Sequence, residues 1–145
     1  MFTSSRKESA PNMFVTCFYA IFEPNSGSLR YANAGHDPSH IRRSDDNTEE
    51  LRARGIPLGL MPGMEYEEEV ASLREGESVL FYNDGLVEAH DPEGQMFGFP
   101  RLRALIAKHG EERSLGEYLL EELYTFVGEG WEQEDDITLL TLRRS

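Results

Sequence analysis

The sequence of 145 residues contains a single cysteine, Cys17, so no internal disulfide can form and a disulfide-stapled scaffold is excluded. No stretch approaches the roughly 18 consecutive apolar residues that a membrane-spanning helix requires. The opening 1–11, polar with Arg6, Lys7 and Glu8, does not read as a secretory signal. No membrane partner and a cytoplasmic setting are therefore expected. Basic residues are also scarce: 14 Lys and Arg stand against 27 Asp and Glu, a formal charge of −13. Nucleic acid backbones are gripped by clustered Lys and Arg, so no nucleic acid partner is expected, and cations or basic protein surfaces suit this chain better. The acidic run Glu65 to Glu69, broken only by Tyr66, reads as a solvated edge strand or loop. What the chain does have is 39% hydrophobic and 10% aromatic content, enough for one sizeable core.

The apolar material is ordered in a recognisable way. Met13 to Phe22 is apolar on both alternating faces and rich in aromatic and β-branched residues, which predicts a fully buried central strand with Cys17 as a buried structural thiol. Pro24, Asn25, Ser26 and Gly27 supply turn chemistry, and Leu29 to Ala34 resumes an extended pattern, so the two segments predict a hairpin. A third strand is expected over His40 to Arg43, followed by an exposed tip at Ser44 to Thr48. Gly55 to Gly63 holds too many breakers for a regular element and reads as a loop packed on the core. Tyr66 to Leu73 alternates loosely, and Val79 to Tyr82 predicts a short buried strand that delivers Asn83-Asp84-Gly85. The period then changes. Leu102, Leu105 and Ile106 recur at helical spacing, and Ser114 and Glu117 stand in capping-box relation before Leu119, Leu120, Leu123 and Val127. Ile137 to Leu142 predicts a terminal strand. Strands joined by hairpins, with two helices grouped late, define an α+β layered domain.

Carboxylates fall where strands end. Asp84 follows an apolar strand and precedes a glycine, as on a tight turn, and Asp135 and Asp136 stand immediately before the last strand. If those strands neighbour one another, carboxylates distant in sequence converge at one rim as hard oxygen ligands that suit Mg²⁺ or Mn²⁺. Asp-Gly alone is an ordinary turn dipeptide, and an acidic pair before a strand is usually solvent-facing, so the order of the motifs is what gives them weight.

That order runs Met13-Phe-Val-Thr16, Tyr31-Ala-Asn-Ala-Gly-His36, Leu58-Gly59, Leu80-Phe-Tyr-Asn-Asp-Gly-Leu-Val-Glu-Ala89, Phe97-Gly98 and Asp135-Asp-Ile-Thr-Leu-Leu140. It resembles the sporulation-stage-II-E (SpoIIE-like) branch of the metal-dependent, PPM-type protein phosphatases, over 12–145, with 1–11 as a polar N-terminal segment. The resemblance implies a four-layer α-β-β-α sandwich, present here as its later portion. It also implies hydrolysis of phosphoserine or phosphothreonine by a metal-activated water at a two-metal Mg²⁺ or Mn²⁺ site. Asp84 and Asp135 match the family's metal-binding aspartates, and Asp136 is a weaker match. Two departures stand out: Asn83 replaces the commoner Thr, and the family's earlier Gly-Asp segment has no counterpart, because the chain contains no Gly-Asp dipeptide. The metal site is therefore expected to be incomplete within this chain.

Around these aspartates, Asn33, Gly35 and His36 read first as a turn at a strand end, with a general-acid role for His36 as the alternative. Gly85 serves the turn, and Glu88 either orients a metal-bound water or makes a conformational hydrogen bond. His40, His90 and His109 lack ligand spacing, and Trp131 reads as a packing residue. Three functions follow: a phosphatase acting on a phosphorylated regulatory protein such as an anti-anti-sigma factor, a non-catalytic regulatory remnant of that scaffold, or an unrelated acidic domain. Without the opening strands, the Met13 to Phe22 strand would have an uncovered edge, and self-association through it is expected.

Overall fold

The structure, a computed structural model, describes residues 13–110, 112–133 and 135–145. Two antiparallel sheets pack face to face. The first holds β1 (Cys17–Glu23), β2 (Ser28–Ala34) and β5 (Glu69–Ser72) in the order β1-β2-β5. The second holds β3 (Ser39–Arg42), β4 (Thr48–Leu51), β6 (Ser78–Tyr82) and β7 (Leu139–Arg143) in the order β4-β3-β6-β7. Helices α2 (Phe99–Lys108) and α3 (Leu115–Val127) cover the far side of the second sheet, and α1 (Asp84–Val87) is a single turn at the end of β6.

β6 explains the layering. Its alternate residues face opposite ways, as the two-residue repeat of a strand requires. Val79 joins Leu29, Tyr31, Ile41, Leu51 and Leu73 in the core between the sheets, with Phe81 and Leu142 packed against it. Leu80 and Tyr82 turn to the helices and meet Leu102, Ile106, Leu119 and Leu123. Both faces of this five-residue strand are therefore buried. The helices are amphipathic on the predicted spacing. Leu115, Leu119, Leu123 and Val127 are buried along α3, Leu120 is half-buried beside them, and the Ser114 hydroxyl caps the helix by accepting from the Glu117 N–H at 3.2 Å. Burying each such leucine contributes about 1.5–3 kcal/mol.

The predicted β1–β2 hairpin is present, but β1 is not a buried central strand. Among the described residues it pairs with β2 alone, at the end of its sheet, and no residue from Cys17 to Glu23 is fully buried. Its inner face, Phe18, Ala20 and Phe22, packs on the second sheet, whereas Tyr19 and Ile21 are 52% and 41% exposed on the outer face. Cys17 is correspondingly half-buried rather than sealed in the core. Among the described residues three layers are present, and nothing covers the outer face of the first sheet. A fourth strand in the second sheet, β4, also follows the exposed tip, where the sequence offers Leu51 as its one apolar residue.

At the end of the second sheet remote from Asp84, Glu77 is 1% exposed and fully partnered. Its carboxylate accepts from the Arg74 N–H at 2.8 Å, the Ser44 N–H at 3.1 Å and Arg43 Nη1 at 3.0 Å. Burial pushes the Glu77 pKa up, but these donors outweigh burial and leave it below the usual 4.5. Because the folded pKa is depressed, Glu77 contributes stability above the unfolded pKa and loses it as pH falls through the folded value. Arg43 keeps Glu49 and the Ser72 carbonyl as partners, but replacement by Ala leaves the Arg74 and Ser44 N–H groups without their acceptor, so Glu77→Ala is expected to cost about 2 kcal/mol in urea unfolding at pH 7. The difference from wild type should shrink below about pH 4; an unchanged urea midpoint at pH 7 would contradict this.

Candidate metal and phosphate site

Strand register builds the site. β3 and β6 run antiparallel with His40 opposite Leu80, so the residues just before β3 lie beside the residues just after β6. β6 and β7 are antiparallel with Tyr82 opposite Leu139, so the residues just before β7 reach the same place. Three chain segments, 36–38, 83–88 and 135–138, therefore meet at one end of the second sheet.

Asn83 fastens two of them. Its side-chain Nδ2 donates to the Asp136 carbonyl at 2.8 Å, its Oδ1 accepts from the Thr138 N–H at 3.0 Å, and its own N–H donates to the Thr138 carbonyl at 3.2 Å. The departure from Thr at this position thus supplies a two-handed amide clamp between segments more than 50 residues apart, not a local turn bond. Asn83 also occupies the N-cap of α1 without capping it, since its side chain is committed to the clamp. Gly85 has a different role from the expected turn. Asp84 opens the helical turn α1, and Gly85 does not adopt a left-handed conformation. Glycine is required because a Cβ there would sit on the Asp136 carbonyl oxygen. The close approach of the two aspartate segments depends on it.

The turn at Asn33 to His36 holds the third segment. Asn33, buried, donates from Nδ2 to the His36 carbonyl and accepts on Oδ1 from the His36 N–H, both at 2.8 Å. Gly35 has φ +68° and packs on Pro57, so both its conformation and its lack of a side chain are needed. His36 Nδ1 lies 3.0 Å from the Asp37 carbonyl oxygen, a contact of the same turn.

Sequence reasoning missed what this turn carries. Asp37 hydrogen-bonds the Asp84 side chain, and its carboxyl is raised to about 7, first by burial, then by that bond and by the charges of Asp84 and Glu88. The available signal was position: Asp37 follows a predicted strand-ending turn and precedes the start of a predicted strand, His40, by three residues. Asp84 and Glu88 share a helical face at i, i+4 spacing. Glu88 and Asp135 line a small cavity of about 40 Å³ with Gly85, Ala89 and Trp131. Asp135 accepts from the Asp136 N–H at 2.7 Å, while Asp136 contributes its backbone carbonyl to the clamp. Tyr82 lies beneath, 4% exposed, and its hydroxyl has no hydrogen-bond partner among the described residues. Burial and then the Asp37 charge push its ionisation upward, so it stays a neutral phenol.

The remaining histidines have structural surroundings. His40 is buried against Tyr82, its ring 5.6 Å from the tyrosine ring, and burial lowers its pKa. His109 Nε2 lies 2.6 Å from the Arg113 carbonyl oxygen, and His90 is bridged in backbone pairing to Met96. Trp131 packs against Tyr124 at the margin of the helical core, as expected.

Carboxylate oxygens are the donors that Mg²⁺ and Mn²⁺ favour, and Asp37, Asp84, Glu88 and Asp135 gather here. Among the described residues, however, no group of three or more His, Cys, Asp and Glu side chains stands close enough together to hold a metal ion. The described carboxylates do not by themselves amount to a complete metal centre.

Two sheets with helices on one side make an α+β fold, with acidic side chains at one sheet end. The Bacillus subtilis SpoIIE structure containing its PP2C phosphatase domain and a fragment of its regulatory domain superposes with a TM-score of 0.76 at 20% identity, over 94% of this chain and 40% of that one. The family model for stage II sporulation protein E (SpoIIE) matches residues 2–145, and the chain belongs to that family. Curated relatives include phosphoserine phosphatase RsbU of Bacillus subtilis, 30% identical over 136 residues, 92% of this chain and 40% of RsbU. Protein IcfG of Synechocystis sp. is 31% identical over 134 residues, 92% of this chain and 21% of IcfG. The chain thus spans two-fifths or less of these relatives.

The raised Asp37 carboxyl has a directional consequence in metal-free protein. Its folded pKa lies above its unfolded value, so its contribution favours the folded state at low pH and is lost as pH rises towards about 7. Replacing it with Asn removes that loss. In urea titrations in EDTA, Asp37→Asn should gain stability relative to wild type between pH 5 and pH 8; a constant difference across that range would contradict the shared bond.

Proposed function

We propose that this chain is part of a metal-dependent phosphoprotein phosphatase that hydrolyses phosphoserine or phosphothreonine in a bacterial regulatory protein, with an anti-anti-sigma factor as the substrate class. The observation that carries the reading is the Asn83 clamp, which brings the Asp84 and Asp135 segments to one rim. Asp84 and Asp135 act as metal ligands for Mg²⁺ or Mn²⁺, and Asp136 serves through its backbone. Family membership and the RsbU relationship support the phosphatase class. A cytoplasmic setting belongs to the same proposal and fits the single cysteine.

One observation favours a second reading, a scaffold that binds or regulates without turning over: the described carboxylates form no group able to hold a metal by themselves. Hydrolysis of a phosphoserine peptide with and without Mn²⁺, on wild type and Asp84→Asn, separates the two. The phosphatase reading expects Mn²⁺-dependent release of phosphate that falls at least about a hundredfold in the variant, the scale of losing a group that stabilises the transition state electrostatically. Release no greater in wild type than in the variant would favour the regulatory scaffold.

A further inference from the structure

We infer that a basic cavity at the end of the second sheet remote from Asp84 is a binding site for a tetrahedral oxyanion, phosphate or a phosphate monoester. The cavity, of about 300 Å³, lies between the sheet and the turn that joins α2 to α3. Arg42, His109, Arg113 and Arg143 line it with the hydroxyl residues Ser78, Ser114 and Thr141, and among the described residues no acid does. The chain carries 14 basic against 27 acidic side chains, so four basic ones around a single cavity run against its general balance. β3, β6, β7 and the α2–α3 turn supply most of the lining, and the floor is a sheet face with a paired strand on each side of β6.

Strand register makes the floor. Ser78 stands opposite Arg42 on one side and Arg143 on the other, so two arginines flank a serine in one cross-strand row. The row shares the parity of Leu80, whose side chain turns to the helices, so all three residues face α2 and α3. Neighbouring strands lie about 4.8 Å apart, which sets the two arginine backbones about 10 Å apart, a gap that two guanidinium groups can close on one anion. Serine at the centre leaves that space open. Arg42 is fixed by its own bonds: Nε donates to the Ile106 carbonyl at 3.1 Å and Nη2 to Asp46 at 2.6 Å, which leaves Nη1 for a ligand. Arg113 donates from Nη1 to Glu121, with its guanidinium 5.4 Å from the centre of the Tyr118 ring. Asp46 and Glu121 are largely exposed and do not line the cavity, so they anchor the arginines from outside.

The α2–α3 turn closes the cavity from above. His109 is buried, its Nε2 2.6 Å from the Arg113 carbonyl oxygen, and that contact ties the two ends of the turn together. Ser114 caps α3, and the Leu115 and Gly116 N–H groups of the first turn have no carbonyl within the helix to reach. Such groups favour anions, and here they add to the arginines rather than make the site. Three guanidinium groups repel one another until a counter-charge enters, so the ligand is anionic. A tetrahedral oxyanion suits donors that approach from three separate strands and a turn, whereas a planar carboxylate is matched by one guanidinium fork. The volume exceeds that of phosphate alone and leaves room for a small ester group. Ser78 and Tyr82 are about 13 Å apart along β6, beyond the roughly 8 Å over which charge acts at physiological salt, so the acidic rim does not oppose an anion here.

A titration of the isotopically labelled whole chain with inorganic phosphate in EDTA, read by backbone amide shifts, tests this apart from any metal. Residues 76–78, 113–116 and 141–143 should shift together and saturate with phosphate, but not with sodium chloride at equal ionic strength. Arg143→Gln should weaken phosphate binding about tenfold, the scale of a lost charge-assisted hydrogen bond. Ser78→Asp keeps the test sound if Arg143→Gln unfolds. Its carboxylate, set between Arg42 and Arg143, should abolish the phosphate-dependent shifts and raise the urea midpoint in phosphate-free buffer. O-phosphoserine titrated in the same way separates the sources of the anion: tighter binding than phosphate assigns the site to esters, and equal or weaker binding assigns it to the free ion. Shifts that chloride reproduces would overturn the inference. So would shifts centred on Arg30, Arg52 and Arg54 instead, or wild-type phosphate affinity in both variants.

Discussion

The candidate site rests on one constraint: the antiparallel register of β3, β6 and β7, fixed at its open end by Asn83. Antiparallel neighbours exchange ends, so the exit of β6 must stand beside the approaches to β3 and β7. The β-sheet alone would bring these segments near one another. The clamp and the close passage of Gly85 under the Asp136 carbonyl turn nearness into a defined rim. Tyr82, Leu80 and the helical core behind them make the floor rigid, since both faces of β6 are packed.

Two ends of the same sheet treat acidic groups in opposite ways. Glu77 is buried with backbone and guanidinium donors around it, and its negative charge is held by them. Asp37, at the other end, has Asp84 and Glu88 for neighbours, and its carboxyl is driven up to about 7. Burial and the two neighbouring carboxylates all oppose its ionisation. Fold stability does not explain gathering acids in this way, whereas binding of cations would relieve it. Glu77 is the carboxylate of a structural joint; Asp37, Asp84, Glu88 and Asp135 form the acidic rim.

Much of this was legible in the sequence. The late helices, the β1–β2 hairpin, the short β6 and the turn at Asn33 to His36 all follow from periodicity and turn chemistry, because each is decided by residues close in sequence. Motif order singled out Asp84 and Asp135, and the strand register brings their segments to one end of the sheet. What escaped depends on long-range geometry. Asp37 matters only because β3 pairs with β6, and the value of Asn83 lies in partners 53 and 55 residues away. Gly85 was read as a turn residue when its role is contact across strands. The most apolar segment, β1, misled most: apolar residues on both faces predict two covered faces, and among the described residues only the inner one is covered. Local composition records the surroundings a strand suits, and pairing decides where it sits.

The chain belongs to the SpoIIE family and has the PP2C fold, and the proposal built on them is a cation site at the acidic rim around Asp84. The measurement closest to that claim is paramagnetic broadening of backbone amide signals during a Mn²⁺ titration of the isotopically labelled chain. The account predicts that residues 36–37, 84–88 and 135–137 broaden first and together, since one ion near the rim reaches all three segments. Early broadening confined to the acidic run Glu65 to Glu69, with Asp84 and Asp135 unaffected, would contradict it.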